Sequence, residues 1–332
     1  MKPHRLTIHE VARMAGVSAM TVSRALNHPE RVAPDTFARV SEVVRRTGFV
    51  PNAMAGGLRS SRAGLVAALL PTLTGPVFQE TVRALNQSLD AHGFQLMIGQ
   101  SGYDASREDA LLDAVIRRRP DGIVLVGIMR SAAARRQLLA SGIPVVETWD
   151  MTPTPIDMLV GFSHERIGEA VCAFLHRRGR RRPALVSADD ERAHRRLEGF
   201  CRAARTLGLD GEVPVAWSKA PSTVGAGRAG LGELLTAHPE VDAVFCSSDS
   251  LALGALIEAQ ARGVAVPQRL AVIGLGDQDF AAHLSPSLTT VRIDGTRIGR
   301  TAAQLIVDRV EGRSVGQAVV DVGFEMVERA SA

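Results

Sequence analysis

The stretch that most constrains this chain lies near its N-terminus, where residues 7–26 predict two short helices joined by a tight turn. Thr7 and Glu10 have the spacing of a capping box at the start of the first helix. Gly16 supplies the break, and Ser18 can cap the second helix. Apolar residues recur at the spacing that buries one face of each helix, namely Ile8, Val11, Ala12, Val17, Val22, Ala25 and Leu26. The pattern predicts a helix-turn-helix, although an ordinary helical hairpin would share part of it.

The opposite face of the second helix is polar and basic. Its side chains can touch phosphates, base edges and thymine methyl groups in a major groove: Ala19, Met20, Thr21, Ser23 and Arg24. Residues 1–62 carry ten Lys and Arg residues against four acids, a net charge of +6, whereas residues 63–332 sum to −2. Because neutralising phosphates releases counterions, this segregated charge favours DNA binding by the N-terminal segment.

A third helix and a short glycine-containing segment follow. Pro34 suits the first turn of the helix, Gly48 ends it, and Phe37, Val40 and Val44 are its predicted buried stripe. Asn52 can cap a helical segment through Leu58, but the adjacent glycines at 56 and 57 make that segment a poor helix on its own. We expect it to fold on a partner, with Leu58 able to wedge between base steps; a flexible linker is the alternative.

From Gly64 onward the sequence alternates between apolar runs and amphipathic stretches. The predicted strands are Leu65–Leu70, Gln95–Ile98, Gly122–Val126, Ile143–Glu147, Pro183–Ser187, Ala243–Ser247 and Leu270–Gly274. The predicted helices are Val77–His92, Arg107–Arg118, Glu165–Arg177, Arg195–Leu207, Gly230–His238 and Leu251–Arg262. This alternation is typical of parallel sheets covered on both faces. About 270 residues is long for one such sheet, so we expect an α/β body of two sheets with a ligand cleft at the carboxyl ends of their strands.

Composition and motifs exclude several other classes. No apolar stretch is long enough to span a bilayer, and the N-terminus lacks the apolar core of a signal peptide, so a cytoplasmic protein is expected. The three cysteines are far apart, which predicts neither a disulfide framework nor a metal site. Residues 225–230 match the dinucleotide fingerprint G-x-G-x-x-G, but they follow a loop instead of leaving a strand directly. We therefore expect no cofactor and no enzyme activity.

Several motifs together resemble the LacI/GalR family of bacterial repressors. They comprise residues 7–12, 15–18 and 21–27 at the N-terminus, the pair Pro51-Asn52 with Ala55 and Leu58, and residues 248–254, 272–274 and 286–291 near the other end. The resemblance covers the whole chain. It implies a helix-turn-helix headpiece over residues 1–50, a hinge helix over 51–63 and a periplasmic-binding-protein-like body over 64–332. The implied subdomains are 64–162 with 292–316, and 163–291 with 317–332.

The same resemblance implies residue roles. Residues matching Ala19, Met20 and Arg24 face the major groove in this family, and the one matching Leu58 intercalates at the centre of a palindromic operator bound by a homodimer. Further DNA contacts are expected at Thr7, Ser18, Asn27, Asn52 and Ala55.

For the effector, Arg196 matches the family's effector-binding arginine and Asp150 a cleft aspartate. The usual effector aspartate falls on Gly276, so either its neighbour Asp277 or another carboxylate would take that part. The other expected contacts are Pro76, Phe78, Ser248 and Asp249.

A narrower resemblance concerns the effector. Residues 20–24, 145–147 and 274–280 look most like the gluconate-utilisation repressor branch. An arginine fork suits a carboxylate or phosphate, and carboxylates accept bonds from hydroxyls. We therefore predict a repressor of a carbohydrate operon whose effector is a sugar acid such as gluconate or its phosphorylated form. Neutral sugars and purines remain open, as does a surface salt bridge for Arg196. The alternative classes are a transporter's solute-binding protein and an NAD-dependent enzyme.

Overall fold

The structure is a computed structural model that describes residues 6–49, 63–73, 77–102, 105–129, 131–209 and 212–332. The chain divides into two compact units, Met1–Ala63 and Gly64–Ala332. Asn52, Ala55, Leu58 and Pro76, which the sequence places among the site residues, lie outside the described residues, as does the side chain of Asn27.

The first unit contains three α-helices around one small core. They are α1 (Ile8–Ala15), α2 (Ala19–Asn27) and α3 (Pro34–Thr47), with a 3₁₀ turn at Pro29–Arg31. The core consists of buried alanine and valine side chains: Val11, Ala12, Ala15, Val22, Ala25, Val40 and Val43. The predicted buried position of Phe37 is wrong, because its ring is 39% exposed and Val43 takes its place in the stripe. Phe37 lies in the first turn of α3, about one turn before Val40, the first buried residue of that helix.

The second unit begins with five strands and three helices that build most of its first sheet. They are β1 (Leu65–Leu70), α4 (Gln79–Asp90), β2 (Gln95–Gln100), α5 (Ala105–Ile116), β3 (Gly122–Val126), α6 (Ala132–Ser141), β4 (Val145–Thr148) and β5 (Met158–Gly161). With β11 (Val319–Asp321) from near the C-terminus, the strand order is β11-β5-β4-β3-β1-β2, and each pairing is parallel. β1 and β3 are buried almost throughout, as expected for a sheet with helices on both faces.

The second sheet is built from the later part of the chain. Its elements are α7 (His164–Arg177), β6 (Pro183–Ala188), α8 (Glu191–Thr206), β7 (Val215–Ser218), α9 (Val224–Ala237), β8 (Ala243–Cys246), α10 (Asp249–Ala261), β9 (Ala271–Leu275) and β10 (Thr289–Arg292). With β12 (Glu325–Val327) from near the C-terminus, the strand order is β12-β10-β9-β8-β6-β7, and only β12 is antiparallel to its neighbour among the described strands of this sheet.

The chain returns to the first sheet and then leaves it again near the C-terminus. Helix α11 (Gly295–Val310) packs against α4, and β11 (Val319–Asp321) pairs with β5 in the first sheet. Only β12 (Glu325–Val327) joins the second sheet. The expected assignment of all of 317–332 to the second subdomain is therefore wrong for β11, a strand too short to show a periodic pattern. Three crossovers thus connect the two sheets.

The glycine run at residues 225–230 lies inside α9 and packs against α10. A Cβ at Gly227 would lie 2.1 Å from the carbonyl oxygen of Leu251, whereas a Cβ at Gly225 would meet nothing within 4 Å. The close approach of two helices accounts for Gly227, and the run does not leave a strand as a dinucleotide loop requires. No helix in the described ranges is long and apolar enough to cross a bilayer.

Candidate DNA-binding surface and effector site

The ends of the first two helices are capped by side chains and by a glycine. The Glu10 amide donates to Thr7 Oγ1 at 3.4 Å while the Thr7 amide donates to Glu10 Oε2 at 2.7 Å, which completes the predicted capping box. Gly16 ends α1 with φ +65°, and its amide donates to carbonyls of the last turn. Ser18 caps α2, with its Oγ accepting from the Thr21 amide at 3.1 Å. These caps therefore define where α1 begins and ends and where α2 begins.

Helix α2 buries one face and exposes the side chains predicted to read DNA. Val22 and Ala25 are buried in the core, Met20 is 53% exposed and Arg24 is exposed. Ala19, Thr21 and Ser23 are half-buried at the border of that face. Because Thr7 and Ser18 already hold caps through their hydroxyls, a DNA contact from either would be an additional role and stays a prediction.

In the second unit, Asp150 follows β4 and lies against α8 of the other sheet. Arg195 Nη1 donates to Asp150 Oδ1 at 2.8 Å, and Arg195 Nη2 donates to Glu191 Oε1 at 2.9 Å. The Met151 amide also donates to Asp150 Oδ1, at 2.8 Å. Arg195 is thus paired with two carboxylates, Asp150 after β4 of the first sheet and Glu191 on its own helix. Asp150 is buried.

Arg196 is buried beside a histidine, not a carboxylate. Its Nη1 donates to His164 Nδ1 at 2.9 Å, so His164 carries its proton on Nε2, which donates to the Trp149 carbonyl at 3.0 Å. Close packing of α7 on α8 makes this contact possible, since a Cβ at Gly168 would lie 1.9 Å from the Arg196 carbonyl oxygen.

The charge of Arg196 is unmatched at short range. Burial lowers the pKa of Arg196 to about 10, and burial together with the Arg196 charge holds the pKa of His164 well below its usual value. Among the described residues, no carboxylate oxygen lies within 4 Å of Arg196, and its buried Nε has no hydrogen-bond partner. The Arg196 guanidinium is therefore a buried cation whose Nε–H can still donate a hydrogen bond.

Aromatic rings form one wall beside this arginine. Phe78 and Trp149 meet edge to face at 5.0 Å, and Trp149 and Phe162 at 5.7 Å. Trp149 has φ +65°, and its indole Nε1 donates to Thr81 Oγ1 at 3.0 Å, which fixes the ring. The guanidinium of Arg192 lies 5.3 Å from the Phe78 ring centroid. Ring contacts thus connect Phe78 through Trp149 and Phe162 to His164, the partner of Arg196, and Asp150 directly follows Trp149 in the chain. That these residues bind an effector stays a prediction.

A second group of predicted residues gathers at the ends of β8, β9 and β10. Asp249 is fully buried; Thr290 Oγ1 donates to its Oδ1 at 2.6 Å, and the Gln278 amide donates to its Oδ2 at 2.7 Å. Burial raises the pKa of Asp249 to about 6. Ser248 caps α10, its Oγ accepting from the Leu251 amide at 3.3 Å. These contacts give both residues a structural role in the fold.

Asp277 is paired twice in this group. Its carboxylate accepts from Arg292 Nε at 2.6 Å and from Arg329 Nη2 at 2.7 Å. Such neutralisation makes Asp277 a weaker candidate for ligand hydroxyls than the sequence indicated. The neighbouring Gln278 instead offers a buried Oε1 that lacks a hydrogen-bond partner within the described part of the chain.

Four residues that contact the predicted site residues were not identified from the sequence: Trp149, His164, Arg192 and Arg195. Arg192 lies about one helical turn before Arg196, and Arg195 directly precedes it. This spacing places all three arginines on one side of α8. That spacing was available in the sequence. The positions of Trp149 and His164 depend on how the two sheets meet, which periodicity does not show.

Comparison with known proteins covers both units of the chain. Residues 7–52 match the model of bacterial regulatory proteins of the lacI family, and residues 172–332 match the periplasmic binding protein-like domain. The transcriptional regulator GntR of Pseudomonas aeruginosa is 38% identical over 328 residues, covering 98% of this chain and 96% of that protein. A LacI family regulator from Silicibacter pomeroyi is similar in structure, with a TM-score of 0.91 and 31% identity over 98% of this chain and 99% of that chain. The regulator CelR in complex with cellobiose gives a TM-score of 0.72 and 28% identity over 99% of this chain and 100% of that chain.

The fold and these matches define a DNA-binding regulator whose larger unit is built like a periplasmic binding protein. The chain belongs to the LacI family of bacterial transcriptional regulators.

Proposed function

We propose that this regulator is a dimeric repressor whose operator affinity is set by a sugar acid bound in the body, with Arg196 holding the acid group. The observation that carries the proposal is the buried Arg196 guanidinium, which has an unpartnered Nε and no carboxylate within 4 Å among the described residues. An uncompensated buried charge costs several kcal/mol, and a bound carboxylate or phosphate would remove that cost with bidentate hydrogen bonds.

Other groups suit the hydroxyls of such a ligand. Asp150 and the orphaned Oε1 of Gln278 can accept hydrogen bonds, and the Phe78 and Trp149 rings can pack on a carbon chain. The residues that resemble the gluconate-utilisation branch make gluconate and its phosphorylated form the first ligands to try. The CelR complex shows a sugar bound in a related regulator, which supports a carbohydrate class for this one.

The proposed operator binding relies on the exposed face of α2 and on the two-fold symmetry of a homodimer. A homodimer would present two copies of α2 to a palindrome with half-sites about one helical turn apart. β2 is the edge strand of the first sheet, and its Ile98 is 41% exposed, which supports burial of this edge against a second copy. The protein would act in the cytoplasm, where its operator lies. A solute-binding role in transport would leave the basic headpiece unexplained.

Calorimetry tests the effector assignment most simply. The full-length protein should bind gluconate or its phosphorylated form, and not a neutral sugar of the same length. Arg196→Met should abolish that binding, and Arg196→Lys, which keeps the charge but loses the fork, should weaken it by about tenfold or more. Arg205→Met, an exposed arginine on the same helix, is the matched control. Exclusive binding of a neutral sugar, or unchanged affinity in the Arg196→Met protein, would overturn the proposal.

A further inference from the structure

Three arginines share the face of α8 that meets the first sheet. Arg192, Arg195 and Arg196 stand at positions i, i+3 and i+4, so their side chains project from the same side of the helix. Each contacts something different: Arg192 the Phe78 ring, Arg195 the Asp150 carboxylate and Arg196 the His164 imidazole. The face is therefore a row of three guanidiniums beside the aromatic wall.

The acids near this row do not neutralise all three guanidiniums. Asp150 and Glu191 both pair with Arg195. Asp190 caps the helix, accepting from the Ala193 amide at 2.9 Å, and attracts Arg196 only from a longer distance. Across the described ranges, no carboxylate oxygen lies within 4 Å of Arg192 or Arg196. The backbone positions of Arg192 and Arg196, neither of which pairs with a carboxylate among the described residues, are thus about 6 Å apart along the helix axis. Arg195, which is paired, lies between them in the sequence.

The two unpaired cations differ in accessibility. Arg196 is 5% exposed, whereas Arg192 is half-buried and its guanidinium covers the Phe78 ring at 5.3 Å. Their charges act on each other and on the site, since Arg192 is among the causes that lower the pKa of both Arg196 and His164. Repulsion between two cations without counter-ions favours a ligand that brings two negative groups.

We propose that Arg192 is the second anion-binding group of the effector site, so that the preferred effector carries an acid group at each end of a hydroxylated chain. The inference rests on the proposed function, because it assigns the first anion to Arg196. A phosphorylated sugar acid is the chemical class that fits: the carboxylate on one guanidinium, the phosphate on the other, and hydroxyls between them. Arg192 thereby selects between a sugar acid and its phosphorylated form.

A packing role for Arg192 on Phe78 is the competing explanation, and a charge-specific comparison separates the two. Arg192→Met keeps an unbranched stem over the ring but removes the cation. Arg192→Lys keeps the cation and loses the planar fork. Arg205→Met, exposed on the same helix, controls for loss of one positive charge from α8.

The experiment is calorimetry of the full-length protein with 6-phosphogluconate and with gluconate, at one ionic strength. The wild type and Arg205→Met should bind the phosphorylated ligand at least about tenfold more tightly than gluconate. Arg192→Met should remove that preference while gluconate affinity changes by less than about threefold, and Arg192→Lys should keep part of it. Thermal melting of each variant confirms that it is folded.

Two results overturn the inference. If wild type binds gluconate as tightly as the phosphorylated form, or if the preference survives in Arg192→Met, Arg192 does not bind a second anion, while the sugar-acid function stands. If neither acid binds the wild type, the proposed function fails and this inference fails with it.

Discussion

Arg196 Nη1 donates to the unprotonated Nδ1 of His164 at 2.9 Å, so a buried cation is held in place by a neutral partner. A carboxylate at this position would hold the arginine equally well but would also satisfy its charge, leaving less for an incoming anion. The imidazole orients the guanidinium and leaves its electrostatic attraction intact.

A matched pair of substitutions at His164 tests this arrangement. Asn and Asp have the same shape and differ in charge, so His164→Asp should pair with Arg196 and compete with the ligand, whereas His164→Asn should not. We expect sugar-acid affinity to be lower in the Asp variant than in the Asn variant by about tenfold or more, measured by calorimetry. Equal affinities in the two variants would contradict the view that the neutrality of His164 matters.

The buried carboxyl group of Asp249 predicts a specific dependence of stability on pH. Its pKa is raised to about 6 in the folded protein, so folding favours the protonated form and this contribution to stability is lost as pH rises from about 4 through 6. The difference in unfolding free energy between the wild type and Asp249→Asn should therefore fall by at most about 2 kcal/mol between about pH 4.5 and about pH 7.5.

Urea unfolding followed by tryptophan fluorescence can measure that difference. Both tryptophans, Trp149 and Trp217, belong to the body, so the signal reports on the unit that contains Asp249. Subtracting the variant removes titrating groups common to both proteins. If the difference in unfolding free energy stays constant or grows as pH rises, ionisation of Asp249 does not destabilise the folded protein.

Two glycines of the same run predict opposite effects on stability. A Cβ at Gly227 would lie 2.1 Å from the Leu251 carbonyl oxygen, so Gly227→Ala should force α9 and α10 apart and cost roughly 2 kcal/mol or more. Gly225→Ala meets nothing within 4 Å and should be neutral or stabilise the helix by up to about 1 kcal/mol. Urea unfolding measures the stability of both variants. Similar losses of unfolding free energy in the two variants would argue against close helix packing as the reason for the glycines at residues 225–230.

The exposed face of α2 predicts how DNA affinity responds to substitution. Arg24→Ala should weaken operator binding by about 1–3 kcal/mol if the side chain contacts a base edge with two hydrogen bonds. Arg45→Ala, whose side chain pairs with Glu42 at the surface of α3, should change it much less. Met20→Ala should shift base preference more than overall affinity. Gel-shift titrations measure all three, and an Arg24→Ala protein that binds as tightly as wild type rejects the base contact.

Local signals in the sequence predicted much of the fold. The capping box of Thr7 and Glu10 and the break at Gly16 are short-range features, and the structure confirms both. The buried strand Gly122–Val126 was also predicted with its observed bounds, because a continuous apolar run defines it. By contrast, β7 and β11 were not predicted, since strands of three or four residues at a sheet edge lack a periodic pattern.

The proposed effector site was only partly predictable, for a physical reason. Arg196 and Asp150 could be placed by resemblance, but their partners are set by how the sheets meet. The pairing of Arg195 with Asp150, the double pairing of Asp277 and the imidazole beside Arg196 all join residues far apart in the chain. Such contacts depend on tertiary packing, and neither hydrophobic period nor charge count reports them.

The most direct test of the whole account measures the coupling between ligand and DNA. An operator selected from random palindromes would be labelled, and its affinity for the full-length protein followed by fluorescence anisotropy with and without saturating gluconate, 6-phosphogluconate or a neutral sugar. We expect at least one of the two acids to change operator affinity by about 5–150-fold, the neutral sugar to leave it unchanged, and Arg196→Met to abolish the response. Operator affinity that is unaffected by both acids, or that responds equally to the neutral sugar, would contradict the account.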